Sequence, residues 1–229
     1  MFNPIPHIIN GNTFWISPER CIYWEEQNAL ILADIHLGKA GHFRNAGVAV
    51  PQRSGVADLQ RLIAQLFFFK ANRVIIVGDF THSVYNKELS LFRKWRSDFP
   101  LFQFDLVKGN HDILKDIWYR ETQITVHNKE LKIENFCFRH EYAADVPLQD
   151  IAADVFVFSG HVHPAVRISG RGKQALHLPC FYFSGQHCIL PAFSKFTGSY
   201  IVVPKKGDIV YAMTGTEIIK KPLRPNLNS

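Results

Sequence analysis

The sequence predicts an α/β fold in which two β-sheets pack together and helices cover them from outside. The first half of the chain alternates strand-like and helix-like segments in the order βαβαβ. After about residue 120 the segments become short, closely spaced and strand-like, with turn residues between them. The 229 residues are 47% hydrophobic and 20% charged, which suits a soluble protein with a sizeable core. We expect one domain over residues 1–229.

The elements of the first half follow from hydrophobic spacing. Strands are predicted where β-branched and aromatic residues cluster, and helices where apolar residues recur every three or four positions. In chain order these elements are a strand pair around Ser17-Pro18-Glu19, a buried strand at Leu30–Ala33, a helix over Gln52–Phe69, a buried strand at Arg73–Val77, a helix over Lys87–Arg96 and a strand at Phe102–Val107.

The second half is predicted to be mostly strands. Turn residues such as Ser169-Gly170-Arg171-Gly172 and Lys206-Gly207 separate them. The stretch Lys220–Ser229, with two prolines and three basic residues, is predicted to be a frayed tail. The predicted strands are Gln123–His127, Leu131–Ile133, Phe136–Arg139, Asp154–Phe158, Ala175–Phe183, Ile201–Val203 and Asp208–Ala212.

Composition excludes several classes of protein. The four cysteines stand far apart without a CxxC pair, so neither a disulfide framework nor a zinc knuckle is indicated. The N-terminus lacks the basic and apolar regions of a signal peptide, and the longest apolar stretch, around Leu62–Phe69, is too short to cross a bilayer. We therefore expect a cytoplasmic protein without a membrane anchor. Its net charge of +6 favours an anionic partner.

Five apolar segments end in residues with oxygen or imidazole donors. In open α/β sheets the ligand crevice lies outside the carboxyl ends of the strands, so scattered strand ends can converge on one point. Side chains two residues apart in an extended chain face the same way, so His161 and His163 can both point into that crevice. The donors are, in chain order, Asp34 and His36; Asp79; Asn110, His111 and Asp112; His140 and Glu141; His161 and His163.

These donors predict a pair of metal ions. Oxygen and nitrogen ligands without a thiolate suit Mn, Fe, Zn or Co, and several imidazoles argue against an all-oxygen Mg or Ca site. The donors are too many for one catalytic metal with an open position but suffice for two, which can clamp a phosphorus centre and activate water. Asp79, at the end of a central strand, is the natural bridging ligand. Glycines at 78, 109 and 160 would let the backbone turn sharply beside the donors.

The order and spacing of these motifs resemble the calcineurin-like metallophosphoesterase superfamily. The resemblance implies a four-layer αββα sandwich of two mixed β-sheets flanked by helices, with a dinuclear metal centre. The motifs that carry it are Asp34-x-His36, Gly78-Asp79, Gly109-Asn110-His111-Asp112, His140 and Gly160-His161-x-His163. It implies that Asp34, His36, Asp79 and His163 hold one metal, and that Asp79, Asn110, His140 and His161 hold the other.

Three longer stretches resemble the bacterial ligase-associated DNA damage response endonucleases within that superfamily. They are ADIHLGKAGHFRNAGVAVP (33–51), VGDFTHS (77–83) and LPAFSKFTGS (190–199). This resemblance implies a manganese-dependent phosphodiesterase that cuts DNA by attack of a metal-bound hydroxide during repair. It also implies a functional link to a DNA ligase and an Lhr-type helicase. Fe, Zn and Co stay open as alternatives to Mn.

His111 and Asp112 are the predicted catalytic residues. An alkoxide is a poor leaving group without a proton, so we assign His111 to protonating the departing oxygen or steadying its charge, and Asp112 to orienting its imidazole. Phosphoprotein phosphatases of the superfamily follow the Gly-Asp motif with Asp-Arg, which grips a dianionic phosphate. Here Phe80-Thr81-His82 follows, without an arginine, and this favours a diester substrate.

Basic residues near the motifs are candidates for binding a nucleic-acid backbone. The candidates are Lys39, Arg44, Arg171 and Lys173, with Lys108 and Arg167 beside them in the sequence. His42, His82, His177 and His187 receive no assignment. Two alternatives stay open: an esterase acting on a small nucleotide-like molecule, and a metal-site scaffold that binds a protein partner without catalysis. Steep inhibition by salt would separate DNA from a small substrate.

Overall fold

Two mixed β-sheets form the centre of the protein in a computed structural model that describes residues 3–45, 47, 54–82, 86–141, 154–169 and 175–221. The first sheet has seven strands in the order β1-β2-β3-β4-β5-β6-β7. Its first four strands pair antiparallel, and β4 to β7 pair parallel. The strands are β1 (Ile5–Ile9), β2 (Asn12–Ser17), β3 (Cys21–Trp24), β4 (Ala29–Leu32), β5 (Arg73–Val77), β6 (Gln103–Val107) and β7 (Ile124–His127).

The second sheet has nine strands, in the order β14-β11-β12-β13-β10-β9-β8, with β15 paired to β12 and β16 to β15. β10 pairs parallel with β9 and with β13, so the carboxyl ends of β9 and β10 lie at the same edge. The strands are β8 (Leu131–Ile133), β9 (Phe136–Arg139), β10 (Phe156–Ser159), β11 (Pro164–Ser169), β12 (Ala175–Ser184), β13 (His187–Ile189), β14 (Tyr200–Ile201), β15 (Ile209–Met213) and β16 (Ile218–Lys221).

The helices cover the outer face of the first sheet. They are α1 (Lys39–Asn45), α2 (Ser54–Phe69), α3 (Lys87–Asp98) and α4 (Asp116–Glu121). Apolar side chains of α2, α3 and α4 share a buried cluster with one face of β4, β5 and β6. Within the described part of the chain, no helix combines the length and the hydrophobicity needed to cross a bilayer.

The core between the two sheets is rich in aromatic residues. Phe14 and Trp24 of the first sheet contact Phe136 of the second, with ring centres 5.1 and 4.7 Å apart. All three side chains are fully or almost fully buried, and each contributes roughly 2–3 kcal/mol of hydrophobic stabilisation. This shared core presses the two sheets together and brings the carboxyl ends of β4, β5 and β6 near those of β9 and β10.

The structure confirms the α/β class and the two mixed sheets. Described residues include no helix on the outer face of the second sheet, so the fourth layer stays a prediction. The single domain over 1–229 also stays a prediction. The strands Arg73–Val77, Leu131–Ile133 and Phe136–Arg139 have the predicted bounds, and most other predicted elements differ by one or two residues at one or both ends. The first two residues of the predicted helix Gln52–Phe69 lie outside the described residues.

Six elements were not predicted. β1 contains Pro6 but lies at the edge of its sheet, where a proline removes no ladder hydrogen bond. α1 and α4 have seven and six residues, too few for helical spacing to be recognised. β16 corrects the prediction that the tail begins at Lys220, because Ile218–Lys221 pairs with β15. Residues 222–229 lie outside the described residues. The remaining two elements are β13, which has only three residues, and β11, which has six but begins at a proline, Pro164.

Candidate metal centre

Strand ends from both sheets bring the predicted metal ligands together in two groups. The first triad consists of Asp34, His36 and His163, and the second triad of Asp79, His140 and His161. Within each triad, the ligand atoms all lie within 4.8 Å of one another. The three residues of the first triad come from segments separated by more than a hundred positions in the chain, so only the packing of the two sheets can assemble it.

Asp79 belongs to the second triad and also faces the first. Its Oδ2 atom is 4.0 Å from Nε2 of His36 in the first triad and 3.5 Å from Nε2 of His140 in the second. Its other oxygen, Oδ1, accepts a hydrogen bond of 2.9 Å from the backbone N–H of His111. One carboxylate therefore faces both groups of imidazoles, as a bridging ligand must.

The backbone is left-handed at most of the predicted ligands. Asp34, His36, Asp79, His161 and His163 have φ between 48° and 68°, a region that residues other than glycine seldom adopt. Each such residue costs on the order of 1 kcal/mol or more and persists only where the surroundings enforce it. This concentration of strain at five strand-end residues is typical of a functional site.

Glycines allow these segments to approach each other. A Cβ on Gly78, whose φ is 80°, would lie 1.8 Å from Nδ1 of His140. A Cβ on Gly160 would lie 2.8 Å from Oδ2 of Asp34 and 2.7 Å from the carbonyl oxygen of Val77. The sharp turn expected from the sequence explains the glycine at position 78. At Gly109 and Gly160, glycine is needed because neighbouring segments leave no room for a Cβ.

The first triad fits a cation. His163 Nδ1 lies 3.2 Å from the carbonyl oxygen of Gly198, and His36 Nδ1 lies 3.3 Å from Nδ1 of His82. The opposite nitrogens, Nε2 of His36 and of His163, are buried and have no hydrogen-bond partner. Metal-binding histidines usually have this arrangement, in which one ring nitrogen is hydrogen-bonded to a neighbour and the other is left to bind the ion.

The pKa values of three ligands are shifted, and in the second triad Asp79 and His140 shift the pKa of each other. Burial alone would raise the pKa of Asp79, but the hydrogen bond and charge of His140 and the N–H of His111 hold it well below its ordinary value. Burial would lower the pKa of His140, yet its contact with Asp79 raises it to about 9. Burial and the ammonium of Lys39 lower the pKa of His36 to about 2, which keeps this imidazole neutral and able to bind a cation.

The loop of Asn110, His111 and Asp112 lies beside Asp79. Asn110 and His111 are exposed, and the His111 ring stacks on that of His82 with centres 4.5 Å apart. Asp112 forms hydrogen bonds that were not expected from the sequence. Its buried carboxylate accepts from the N–H groups of Thr81 and Gly109, at 2.8 and 2.9 Å, rather than from the His111 imidazole. Asp112 thus ties two loops together and orients His111 only through the backbone.

The predicted substrate contacts have different surroundings. Lys39 is half-buried, and Asp79 and Asp34 partly offset the lowering of its pKa by burial, which places its ammonium beside the triads. Arg44 forms an ion pair of 3.0 Å with the buried carboxylate of Glu88. This partner favours a structural role for Arg44 over the predicted contact with substrate. Arg171 and Lys173 lie outside the described residues.

Sequence reasoning left His82 unassigned, although it contacts both His36 and His111. The only signal was its position three residues after Asp79, in the same strand-end segment. His42 lies farther out, with its ring centre 6.0 Å from that of His82. His187 is bonded to Ser159 at 2.8 Å, and His177 is exposed on β12.

Fold and site together define a metal-dependent hydrolase, and comparison with known proteins identifies its class. Residues 28–170 match the model of the calcineurin-like phosphoesterase family. The chain belongs to this family, whose members use a dinuclear metal centre. No curated protein sequence matched the chain.

Among the solved structures that resemble this chain are a nuclease and a phosphoesterase. The crystal structure of the nuclease MPE from Pseudomonas putida is 28% identical, with a TM-score of 0.79, and the alignment covers 96% of this chain and all of that one. The phosphoesterase Yfce from E. coli is 13% identical, with a TM-score of 0.45, over 83% of this chain and 96% of that one. The first likeness extends over nearly the whole of both chains.

Proposed function

We propose that this protein hydrolyses phosphodiester bonds in DNA with the help of two divalent cations, with Mn²⁺ as the best candidate. The observation that carries the proposal is the position of the Asp79 carboxylate, which belongs to the second triad and also faces His36 of the first. The likeness to a nuclease over nearly the whole chain supports a nucleic-acid substrate.

The ligand sets follow from the two triads. Asp34, His36 and His163 would hold one ion and His140 and His161 the other, with Asp79 shared and Asn110 completing the second set. Two such ions stabilise charge on the attacking and leaving oxygens and lower the pKa of bound water. The donors are nitrogen and oxygen without a thiolate, which suits Mn²⁺ but leaves Fe, Zn and Co as alternatives.

His111 is proposed as the group that protonates the leaving oxygen. Its imidazole is exposed, while its backbone N–H is fixed to Asp79 and its ring stacks on that of His82. A ring held in this way beside the centre and open to solvent can donate a proton as the ester bond breaks. Asp112 supports this role by fixing the loop.

A diester fits the residues that follow Asp79. Phe80 is buried and Thr81 donates its N–H and hydroxyl to Asp112, so neither offers a positive charge to a dianionic phosphate. Lys39, beside the triads, is the cation best placed to contact a DNA phosphate. A role in repair next to a DNA ligase and an Lhr-type helicase, in the cytoplasm, is proposed from the resemblance of the sequence motifs.

One experiment tests the proposal. Purified protein with Mn²⁺ is offered bis-p-nitrophenyl phosphate, p-nitrophenyl phosphate and plasmid DNA over a salt series. We expect cleavage of the diester and of DNA, little cleavage of the monoester, and a rate on DNA that falls steeply with salt while the small diester shows almost no slope. Lys39→Gln should reduce the salt slope by about one, whereas Lys205→Gln, in an exposed turn, should leave it unchanged. Salt-independent cleavage restricted to small esters would contradict the DNA assignment.

A further inference from the structure

A charged cluster lies beside the first triad and takes no part in the proposed chemistry. It consists of Glu19, Arg20, Asp58 and Arg61. Arg61 contacts Asp58 at 3.1 Å and Glu19 at 3.4 Å, and the three side chains are at most 11% exposed. Burial of such a cluster adds little stability over apolar packing of the same volume, so its value lies in the geometry it imposes.

The cluster holds three consecutive backbone carbonyl groups. Arg20 donates to the carbonyl oxygens of Ala192 and Ser194 at 3.2 and 2.9 Å, and Arg61 donates to that of Phe193. The guanidinium of Arg61 also lies 4.1 Å from the centre of the Phe193 ring. Residues 192–194 are therefore fixed from one side by two arginines.

The other side of this segment contacts two ligands of the first triad, Asp34 and His163. The N–H groups of Phe193 and Ser194 donate to the carbonyl oxygens of Ala33 and Asp34, at 2.8 and 3.2 Å. Farther along the segment, Gly198 provides the carbonyl oxygen beside His163 Nδ1, and the N–H of Tyr200 donates to the backbone of His163 at 3.0 Å.

The second triad has no such connection. Residues 192–200 are all described, and none of them forms a hydrogen bond to Asp79, His140 or His161. A shift of this segment would thus displace Asp34 and His163 directly. It would reach the second triad only through the first, for example through the hydrogen bond of 3.0 Å from the N–H of His161 to the Asp34 carboxylate.

We propose that Arg61, together with Arg20, is a positioning residue that sets the metal affinity of the first triad through the segment 192–200. The inference rests on the proposed two-metal function and adds to it which residues act on one ion more than on the other. Hydrogen bonds that orient a ligand from behind typically change metal affinity by about 10- to 100-fold, although the residues that form them never touch the ion.

The test is Arg61→Lys in the full chain, with Mn²⁺ binding followed by calorimetry. Lysine keeps the charge but lacks the planar fork that reaches two carboxylates and a carbonyl group. The matched control is Arg96→Lys. Arg96 is also buried, donates to the carbonyl oxygens of Phe99 and Phe102 at 2.5 and 2.8 Å, and lies 5.0 Å from the Phe104 ring, far from the triads.

We expect Arg61→Lys to raise one of two Mn²⁺ dissociation constants about tenfold or more and to change the other much less. The weakened constant should be the one that His163→Ala removes. Arg96→Lys should lower the melting temperature without altering either constant. Two unchanged constants, equal weakening of both, or the same change in Arg96→Lys would overturn the inference.

A replacement variant and the wild-type protein complete the test. If Arg61→Lys does not fold, Ser194→Ala replaces it, because this change removes only the hydroxyl that bonds Asp58 and accepts from the Phe196 N–H. The same shift of one constant is then expected, and its absence would reject the inference. A wild-type protein that binds fewer than two Mn²⁺ ions would reject the proposed function itself, whereas two ions with an unaffected variant would reject only the positioning role.

Discussion

The two triads contain the same residue types but are held in different ways. In the first triad, each imidazole has one nitrogen fixed by a neighbour and the other buried without a partner. In the second, His140 is held in a similar way, with Nδ1 3.3 Å from the carbonyl oxygen of Val77 and Nε2 facing Asp79, but His161 has a side chain that is 44% exposed. The comparison teaches that the protein orients the first triad by itself, while the second is completed by an exposed residue. We expect the first triad to bind its ion more tightly, because less freedom is lost on binding.

The largest effect is expected where the triads meet. Asp79→Ala removes the carboxylate shared by both, so turnover of bis-p-nitrophenyl phosphate should fall by at least about 10³-fold, the equivalent of several kcal/mol of charge stabilisation. Circular dichroism checks that the variant is folded, and calorimetry counts the Mn²⁺ ions. A variant that still binds two ions and turns over normally would remove Asp79 from its bridging role.

His111→Ala separates proton donation from metal binding. Both Mn²⁺ ions should remain, while diester cleavage slows by about 10²-fold. The loss should be larger for an alkyl leaving group than for p-nitrophenolate, because the poorer leaving group depends more on a proton. Equal losses for both leaving groups, measured at saturating Mn²⁺, would argue for a purely structural role of His111.

Removing one histidine from each triad sharpens the comparison directly. His163→Ala and His161→Ala should each reduce the number of bound Mn²⁺ ions from two to one. The ion left in His161→Ala, held by the first triad, should have the lower dissociation constant of the two. Calorimetric titration measures both values, and the reverse order would show that preorganisation does not decide affinity here.

The smallest effect concerns close packing beneath the first triad. Gly160→Ala places a methyl group within 2.8 Å of Asp34 and of Ala33, so we expect a loss of about 1–3 kcal/mol in the free energy of unfolding. Gly198→Ala is the matched control, since nothing lies within 4 Å of the added Cβ and φ is not in the left-handed region. Thermal melts compare them, and equal melting temperatures would mean that Gly160 is not needed for this contact.

Much of the site could be predicted because its signals are local. Each donor follows a short apolar strand directly, and the pairs Asp34-x-His36 and His161-x-His163 lie within three residues of chain. The structure brings six of the seven predicted metal ligands together in the triads. Asn110, exposed beside His111, stays a predicted ligand, and the roles of all seven remain to be measured.

Contacts could not be predicted where a residue's partner is distant in the sequence. Arg44 was predicted to contact substrate because it follows the first ligands, but its partner Glu88 lies 44 positions away. Asp112 was assigned to its neighbour His111, yet it bonds to Thr81, 31 positions earlier. His82 was left open because its contacts with His36 and His111 cross between loops.

The sequence by itself determined which segments are strands, where each ends and which donors stand at those ends, since these depend on the alternation and composition of neighbouring residues. Tertiary structure alone decided that the donors form two triads that meet at Asp79, that five of them adopt left-handed backbone, and that the segment fixed by the charged cluster bonds directly to only one triad. The physical reason is that these features arise from contacts between segments that meet only when the two sheets pack through their shared aromatic core.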